Sequence, residues 1–338
     1  MARAGSRLNS RVAAALLCLA AVAAGTRTSD AAFVAQTSNP SNVLASAASF
    51  TRDFASGTYT GNGIDSRNIT GLAFQPDLVI VKSAGATAAT ARTRTMTGDV
   101  SKSLAGATAL SSNMIQSLLA DGFQVGTNAA VNTNGTVYQW VAMTSAVGTL
   151  SVGSYVGDGS ASRSISGLGY SPEAAMVLPA DATVPLMRIS GMTTSFRFDS
   201  ATGTASAINS LDADGFTVGN STSTNTAGTT YHWLTFNDSA GFVKTGSYTG
   251  NNTAARSITG VGFVPEFVLV RSSSTTTARA GAWRPAAVAS TTSLDFAAVA
   301  NQTTAITALQ TDGFQLGTHV NVNASSNGYS YLALNDPI

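Results

Sequence analysis

The chain spells one pattern three times. Gly57-Thr58-Tyr59-Thr60-Gly61-Asn62 returns as Gly153-Ser154-Tyr155-Val156-Gly157-Asp158, and again as Gly246-Ser247-Tyr248-Thr249-Gly250-Asn251. Later landmarks follow in the same order in each copy, at a spacing of about 95 residues. That period is too long for a solenoid turn and long enough for a unit with its own core. A fixed catalytic constellation is seldom needed three times in one chain, whereas repeated display or repeated contact often is. A modular structural or binding protein is therefore expected.

Each copy reads as short strands. After the first strand come Arg67-Asn68-Ile69-Thr70-Gly71, Arg163-Ser164-Ile165-Ser166-Gly167 and Arg256-Ser257-Ile258-Thr259-Gly260, one apolar residue among small polar ones, closed by Gly. The arginines at this position read as loop braces, with Asp65 or a neighbouring acid as partner. The runs Leu78–Val81, Ala174–Val177 and Phe267–Val270 are apolar without alternation, as in a central strand. Asp121-Gly122-Phe123, Asp214-Gly215-Phe216 and Asp312-Gly313-Phe314 carry hairpin chemistry, with a bulge expected on the first arm.

The last strand is aromatic: Tyr138 and Trp140, Tyr231 and Trp233, Tyr329 and Tyr331 share one face. Val141/Met143, Leu234/Phe236 and Leu332/Leu334 share the other. Both faces are apolar, so burial on both sides is expected. Six to eight strands per copy, with turn signals every 8–12 residues, give an all-β fold of three tandem β-sandwich repeats. The expected divisions are a signal peptide over 1–31 (cleaved near 24 or 31), a mature N-terminal segment over 32–50, and repeats over 51–146, 147–238 and 239–338. The short linkers suggest a semi-rigid rod.

The first residues read as an export signal. Arg3, Arg7 and Arg11 precede an apolar run from Val12 to Gly25, too short to span a bilayer, with small residues crowding its end. An uncleaved anchor is the alternative. Cys18 is the only cysteine and lies in that run, so the mature chain has no disulfide or thiolate chemistry. Charged residues are 10% of the chain, against about 25% in typical soluble domains. Removing either candidate signal leaves a slight acidic excess and no basic block, which argues against nucleic-acid binding. The expected location is secreted, extracellular or on the cell surface, with no membrane span after signal removal.

The landmarks together resemble a repeat module of phage tail-fibre and virion-associated proteins and of secreted bacterial surface proteins. The series is Gly-x-Tyr-x-Gly-Asn, Arg-Ser-Ile-Thr-Gly, a Pro-bounded Val-rich strand, Asp-Gly-Phe and Tyr-x-Trp. The resemblance covers nearly all of residues 57–336 and implies a structural or attachment role, with no catalytic residues to carry over. Residues 31–42 are also similar to the mature start of secreted bacterial matrix and surface-fibre proteins.

Chemistry is sparse. His232 and His319 fall at different repeat positions, and no Gly-x-Ser-x-Gly elbow appears. Asp212-Ala213-Asp214-Gly215 resembles the opening of a calcium loop but lacks its closing Glu, so turn chemistry explains Asp121, Asp214 and Asp312 better. No enzyme activity, cofactor or metal is expected; a secreted hydrolase is the weakest reading. The candidate ligand-binding residues are Tyr138, Trp140, Tyr231, Trp233, Tyr329 and Tyr331, which could stack on sugar rings. The competing and favoured reading places them in the core. Surface glycans, or self-association into fibres, are the expected partners. The segments Ala84–Leu110, Ala180–Thr204 and Ser272–Thr304 diverge between copies; any specific partner contact is expected there rather than on the Asp-Gly-Phe hairpins, with drift alone as the alternative.

Overall fold

Alternation of apolar residues and closely spaced turn signals give strands almost throughout. A computed structural model describes residues 54–145, 148–238, 241–277, 279–289 and 291–336. The signal segment, Cys18 and residues 32–50 lie outside the described residues. The first copy contains β1 (Phe54–Thr60), β2 (Arg67–Thr70), β3 (Leu78–Ser83), β4 (Thr90–Thr93) and β5 (Lys102–Ser103). It continues with β6 (Ile115–Leu119), β7 (Gly122–Val125), the one-turn helix α1 (Ala129–Asn132) and β8 (Val137–Met143).

The second copy runs from β9 (Leu150–Val156) through β10 (Arg163–Ser166), β11 (Ala174–Pro179), β12 (Leu186–Ile189) and β13 (Phe196–Arg197). It ends with β14 (Ile208–Asp212), β15 (Gly215–Val218), α2 (Thr222–Asn225) and β16 (Thr230–Phe236). The third runs from β17 (Val243–Thr249) through β18 (Arg256–Thr259), β19 (Phe267–Ser272), β20 (Ala282–Pro285) and β21 (Leu294–Asp295). Its last elements are β22 (Ile306–Gln310), β23 (Gly313–Leu316), α3 (Val320–Asn323) and β24 (Gly328–Leu334).

Each copy is a sandwich of two antiparallel sheets. In the first, β1-β8-β3-β4-β5 form five strands and β2-β7-β6 form three, and the other copies repeat this order. The aromatic strand and the apolar Leu78 strand are central, as their composition predicts. Tyr138, Trp140 and Ala142 of β8 face the small sheet, packing with Ile69, Ile115, Phe123 and Val125. Val141 and Met143 face the opposite way. The hairpins form as expected, and the first arm is bulged at the same place in every copy: Ile115/Ser117, Ile208/Ser210 and Ile306/Ala308.

Gly122 opens β7 at φ +150°, where a Cβ would stand 2.0 Å from the Ile69 carbonyl oxygen, so that position admits only glycine. Gly57 is required for another reason. It pairs with Trp140, whose indole lies so close that a Cβ would meet the ring at 2.5 Å.

The far face of each large sheet does not look onto solvent. Ile80, Val141 and Met143 of the first copy form one continuous core with Met176, Leu234 and Phe236 of the second and Leu269, Trp283 and Leu332 of the third. The three large sheets thus surround a common interior, and residues 51–338 make one compact unit. This differs from a rod. An inner face this apolar is stabilised by meeting another apolar face, and the neighbouring copies supply it.

The contacts close a ring. The first and second copies meet through Leu110 N–H donating to the Ala180 carbonyl (3.0 Å), and through Thr95 Oγ1 lying 2.8 Å from His232 Nδ1. Thr245 Oγ1 donates to Glu173 Oε2 (2.5 Å) between the third and second. Ala89 N–H donates to the Phe296 carbonyl (2.9 Å), and Ala287 N–H to Ser56 Oγ (3.3 Å), between first and third.

A buried cation crosses each of the three interfaces. Lys102 Nζ donates to the Asp181 and Thr183 carbonyls at 2.8 and 2.9 Å. Lys82 Nζ donates to the Val299 carbonyl at 2.9 Å, and Arg271 to the carbonyls of Asp199 and Ala201. Carbonyl partners of this kind let a charge be buried without a counter-ion in contact. Burial still draws the Lys82 and Lys102 ammonium groups down to about 8, with Asp295 and Asp181 respectively opposing. The segments that diverge between copies therefore hold framework contacts between the copies.

Candidate functional site

The aromatic candidates are distributed through the interior. Tyr138, Tyr231 and Tyr329 are fully buried, Trp140 and Tyr331 are buried, and Trp233 is half-buried. Tyr138 Oη donates to the Ala129 carbonyl and accepts from Thr133 N–H. Tyr231 and Tyr329 do the same with Thr222 and Thr226, and with Val320 and Ala324. Trp140 and Trp233 meet Phe123 and Phe216 edge-on, as Tyr331 meets Phe314. A sugar-stacking face needs exposed rings. These six residues therefore line no exposed stacking platform; the core reading fits the geometry.

The repeated arginines do brace, but against a ring rather than against Asp65. The guanidinium carbons of Arg67, Arg163 and Arg256 lie 5.1, 4.9 and 5.2 Å from the ring centres of Tyr59, Tyr155 and Tyr248. Each also donates to a carbonyl seven residues back, that of Thr60, Val156 or Thr249. Asp158 adds an ion pair to Arg163 at 3.7 Å. On its other face Tyr59 stacks on Tyr138 at 5.2 Å, so a cation, two rings and a buried hydroxyl form one column. Burial pushes the Tyr59 and Tyr155 phenols well above their usual range.

Asp121, Asp214 and Asp312 cap the turn that follows the second strand of their copy. Their carboxylates accept from Gly71 and Ala73, Gly167 and Gly169, and Gly260 and Gly262. Those backbone donors hold the Asp214 and Asp312 carboxyls below the ordinary carboxylate range. Among the described residues no three His, Cys, Asp or Glu side chains gather as a metal site.

Two recurring residues escaped the sequence reading. Asn132, Asn225 and Asn323 are fully buried at the ends of α1, α2 and α3, each six residues before the buried tyrosine. The Asn132 amide accepts from Asn62 N–H and donates to the Ile64 and Gly126 carbonyls. The spacing Asn-x5-Tyr was the available signal. Arg92, Arg188 and Arg284 occupy one register position, opposite Val79, Ala175 and Val268. Arg92 donates to the carbonyls of Val100, Ile115, Met96 and Gly98. Their neighbours Ala91, Met187 and Trp283 share nothing, which hid them.

Arg92 and Arg188 each lie at the floor of an open groove between the large sheet and the outer strand of the small one. In the first copy the groove is about 330 Å³, lined by Gln75, Pro76, Asp77, Arg92, Arg94, Ser117 and Leu118. In the second it is about 190 Å³, with Arg188, Ser190, Ser210 and Leu211 among its lining residues. The floor recurs while the rim changes: Arg94 in one copy is Ser190 in the next and Ala286 in the third.

A family model for a domain of unknown function, DUF7483, matches residues 50–284. The chain belongs to the DUF7483 family. The matched residues cover the first two copies and end in β20 of the third. No curated protein matches the chain.

Proposed function

We propose that this DUF7483 protein is a secreted structural or adhesive protein of the cell surface, presenting homologous grooves of its first and second copies on one compact unit. The observation that carries this reading is how its polar residues are spent. Those repeated in all copies (the Arg67, Asn132, Asp121 and Arg92 sets) bond to the protein's own backbone or rings. Those that differ, Arg94, Ser190 and Ala286, sit on groove rims or equivalent rim positions. A constant framework with variable rims suits contact with an external partner. The second reading, an array of carbohydrate-binding sites, is favoured by the grooves rather than by the aromatic strand.

The low charge, the export-type N-terminus and the resemblance to fibre and surface modules support the same reading. Surface biotinylation of producing cells, with N-terminal sequencing of the recovered protein, tests the location. A processed N-terminus near residue 25 or 32 on labelled protein is expected; unprocessed protein confined to the cytosol would contradict it. A glycan array probed with the mature chain tests the adhesive role.

A further inference from the structure

We infer that the groove of the first copy binds an acidic sugar, with the sugar carboxylate on Arg94 and its ring against the half-buried Leu118. This rests on the adhesive reading above and names the ligand class of one groove. Arg94 is the groove's available cation. Its side chain is 53% exposed, and among the described residues only Nη1 is engaged, with Asp77 Oδ1 at 3.2 Å and Ser145 Oγ at 3.4 Å. Nη2 and Nε remain as a planar pair of donors, the geometry that receives a carboxylate bidentately.

The floor reinforces the sign. Arg92 is buried and fully turned to four backbone carbonyls, so it contributes positive potential without competing for ligand. Asp77 would repel an anion, but its charge is already answered. Oδ2 accepts from Ser145 N–H at 2.7 Å and Ser145 Oγ at 2.5 Å, and Oδ1 from Arg94. Among the lining residues two guanidinium groups face one carboxylate, with Asp99 acting on Arg92 from outside the groove.

The rest of the lining suits a pyranose. Half-buried Leu118 offers apolar surface to ring C–H groups, while exposed Gln75 and half-buried Ser117 can bond ring hydroxyls. The volume is at the lower end of small-ligand sites, the size for one or two sugar residues. The second copy has Ser190 in place of Arg94 and a smaller groove, so it lacks this anchor.

A carboxylated pyranose comes from a uronic acid or from a sialic acid, and the test separates them. The mature chain is titrated calorimetrically with trigalacturonate, with 3′-sialyllactose and with neutral maltotriose. At least one acidic sugar should bind. Affinity should fall about tenfold or more in Arg94→Gln, recover in part in Arg94→Lys, and weaken with added salt. Arg94 is exposed, so the melting temperature of Arg94→Gln should stay close to that of the parent; Gln75→Ala provides a second, milder loss. Equal binding of the acidic sugars by Arg94→Gln, or no binding of either at about 10 mM, would overturn the inference. Glycan binding that ignores Arg94 would overturn it and leave the adhesive reading standing. Absence of all glycan binding together with a purely cytosolic location would remove both.

Discussion

The outer half of each copy and its inner half meet different packing constraints, and the residues of the three copies differ accordingly. Outside, where the large sheet meets its own small sheet, the copies coincide: Tyr59/Tyr155/Tyr248, Arg67/Arg163/Arg256, Asn132/Asn225/Asn323 and Phe123/Phe216/Phe314 make equivalent contacts. Inside, one register position holds Lys82, Leu178 and Arg271, and another Lys102, Phe196 and Leu294. Each outer half packs on itself and can repeat. Each inner half packs on a different neighbour and cannot. The three interfaces are stapled by different cations, so the copies are not interchangeable.

The largest effect should come from removing the neighbours. Twelve buried apolar residues of the second copy, from Leu150 to Phe236, belong to the shared core. Exposing even half of each side chain would cost about 12 kcal/mol, comparable to the whole stability of a domain. Residues 148–238 expressed alone should aggregate or bind a hydrophobic dye, read by size-exclusion chromatography and fluorescence. A stable monomer with a sharp melting transition would break the comparison.

Exchanging inner residues between copies comes next. Lys82→Leu installs the residue native to the equivalent site of the second copy, yet leaves the Ser83, Gly85 and Val299 carbonyls without their donor. A loss of about 2–4 kcal/mol is expected in chemical denaturation. An outer change should behave in the opposite way: Tyr138→Phe, Tyr231→Phe and Tyr329→Phe should each cost about 1–2 kcal/mol and agree with one another. Unequal outer effects, or a neutral Lys82→Leu, would reverse the assignment of which half is copy-specific.

The smallest effect is a pH dependence confined to one interface. His232 is buried against Thr95 between the first and second copies, and burial, with Arg92 and Lys102 adding to it, draws its imidazole down to about 4. The unfolded chain takes up this proton near pH 6.5 and the folded chain only near 4, so the unfolded state binds more protons in between. Stability should therefore be full above about pH 6.5 and decline as pH falls towards 4. His232→Gln should flatten that part of the profile, which urea titrations at a series of pH values would detect.

Much of the outer half was legible in the sequence. Asp-Gly before Phe marked the hairpins and their bulge, and the aromatic strand's two apolar faces announced burial on both sides. The shared core was not legible, because Ile80 or Met143 looks the same whether it meets its own copy or another. The helices α1 to α3 are single turns, too short to show a period. The groove was hidden because its floor, Arg92 or Arg188, lies in segments whose surroundings differ, and those surroundings differ because they face different partners.

Differential scanning calorimetry of the mature chain tests the shared core most directly. One transition, with calorimetric and van't Hoff enthalpies equal and scaled to the whole of residues 51–338, is the expected result. Three resolved transitions, each with the enthalpy of a unit of about 95 residues, would show that the copies fold independently and would contradict it.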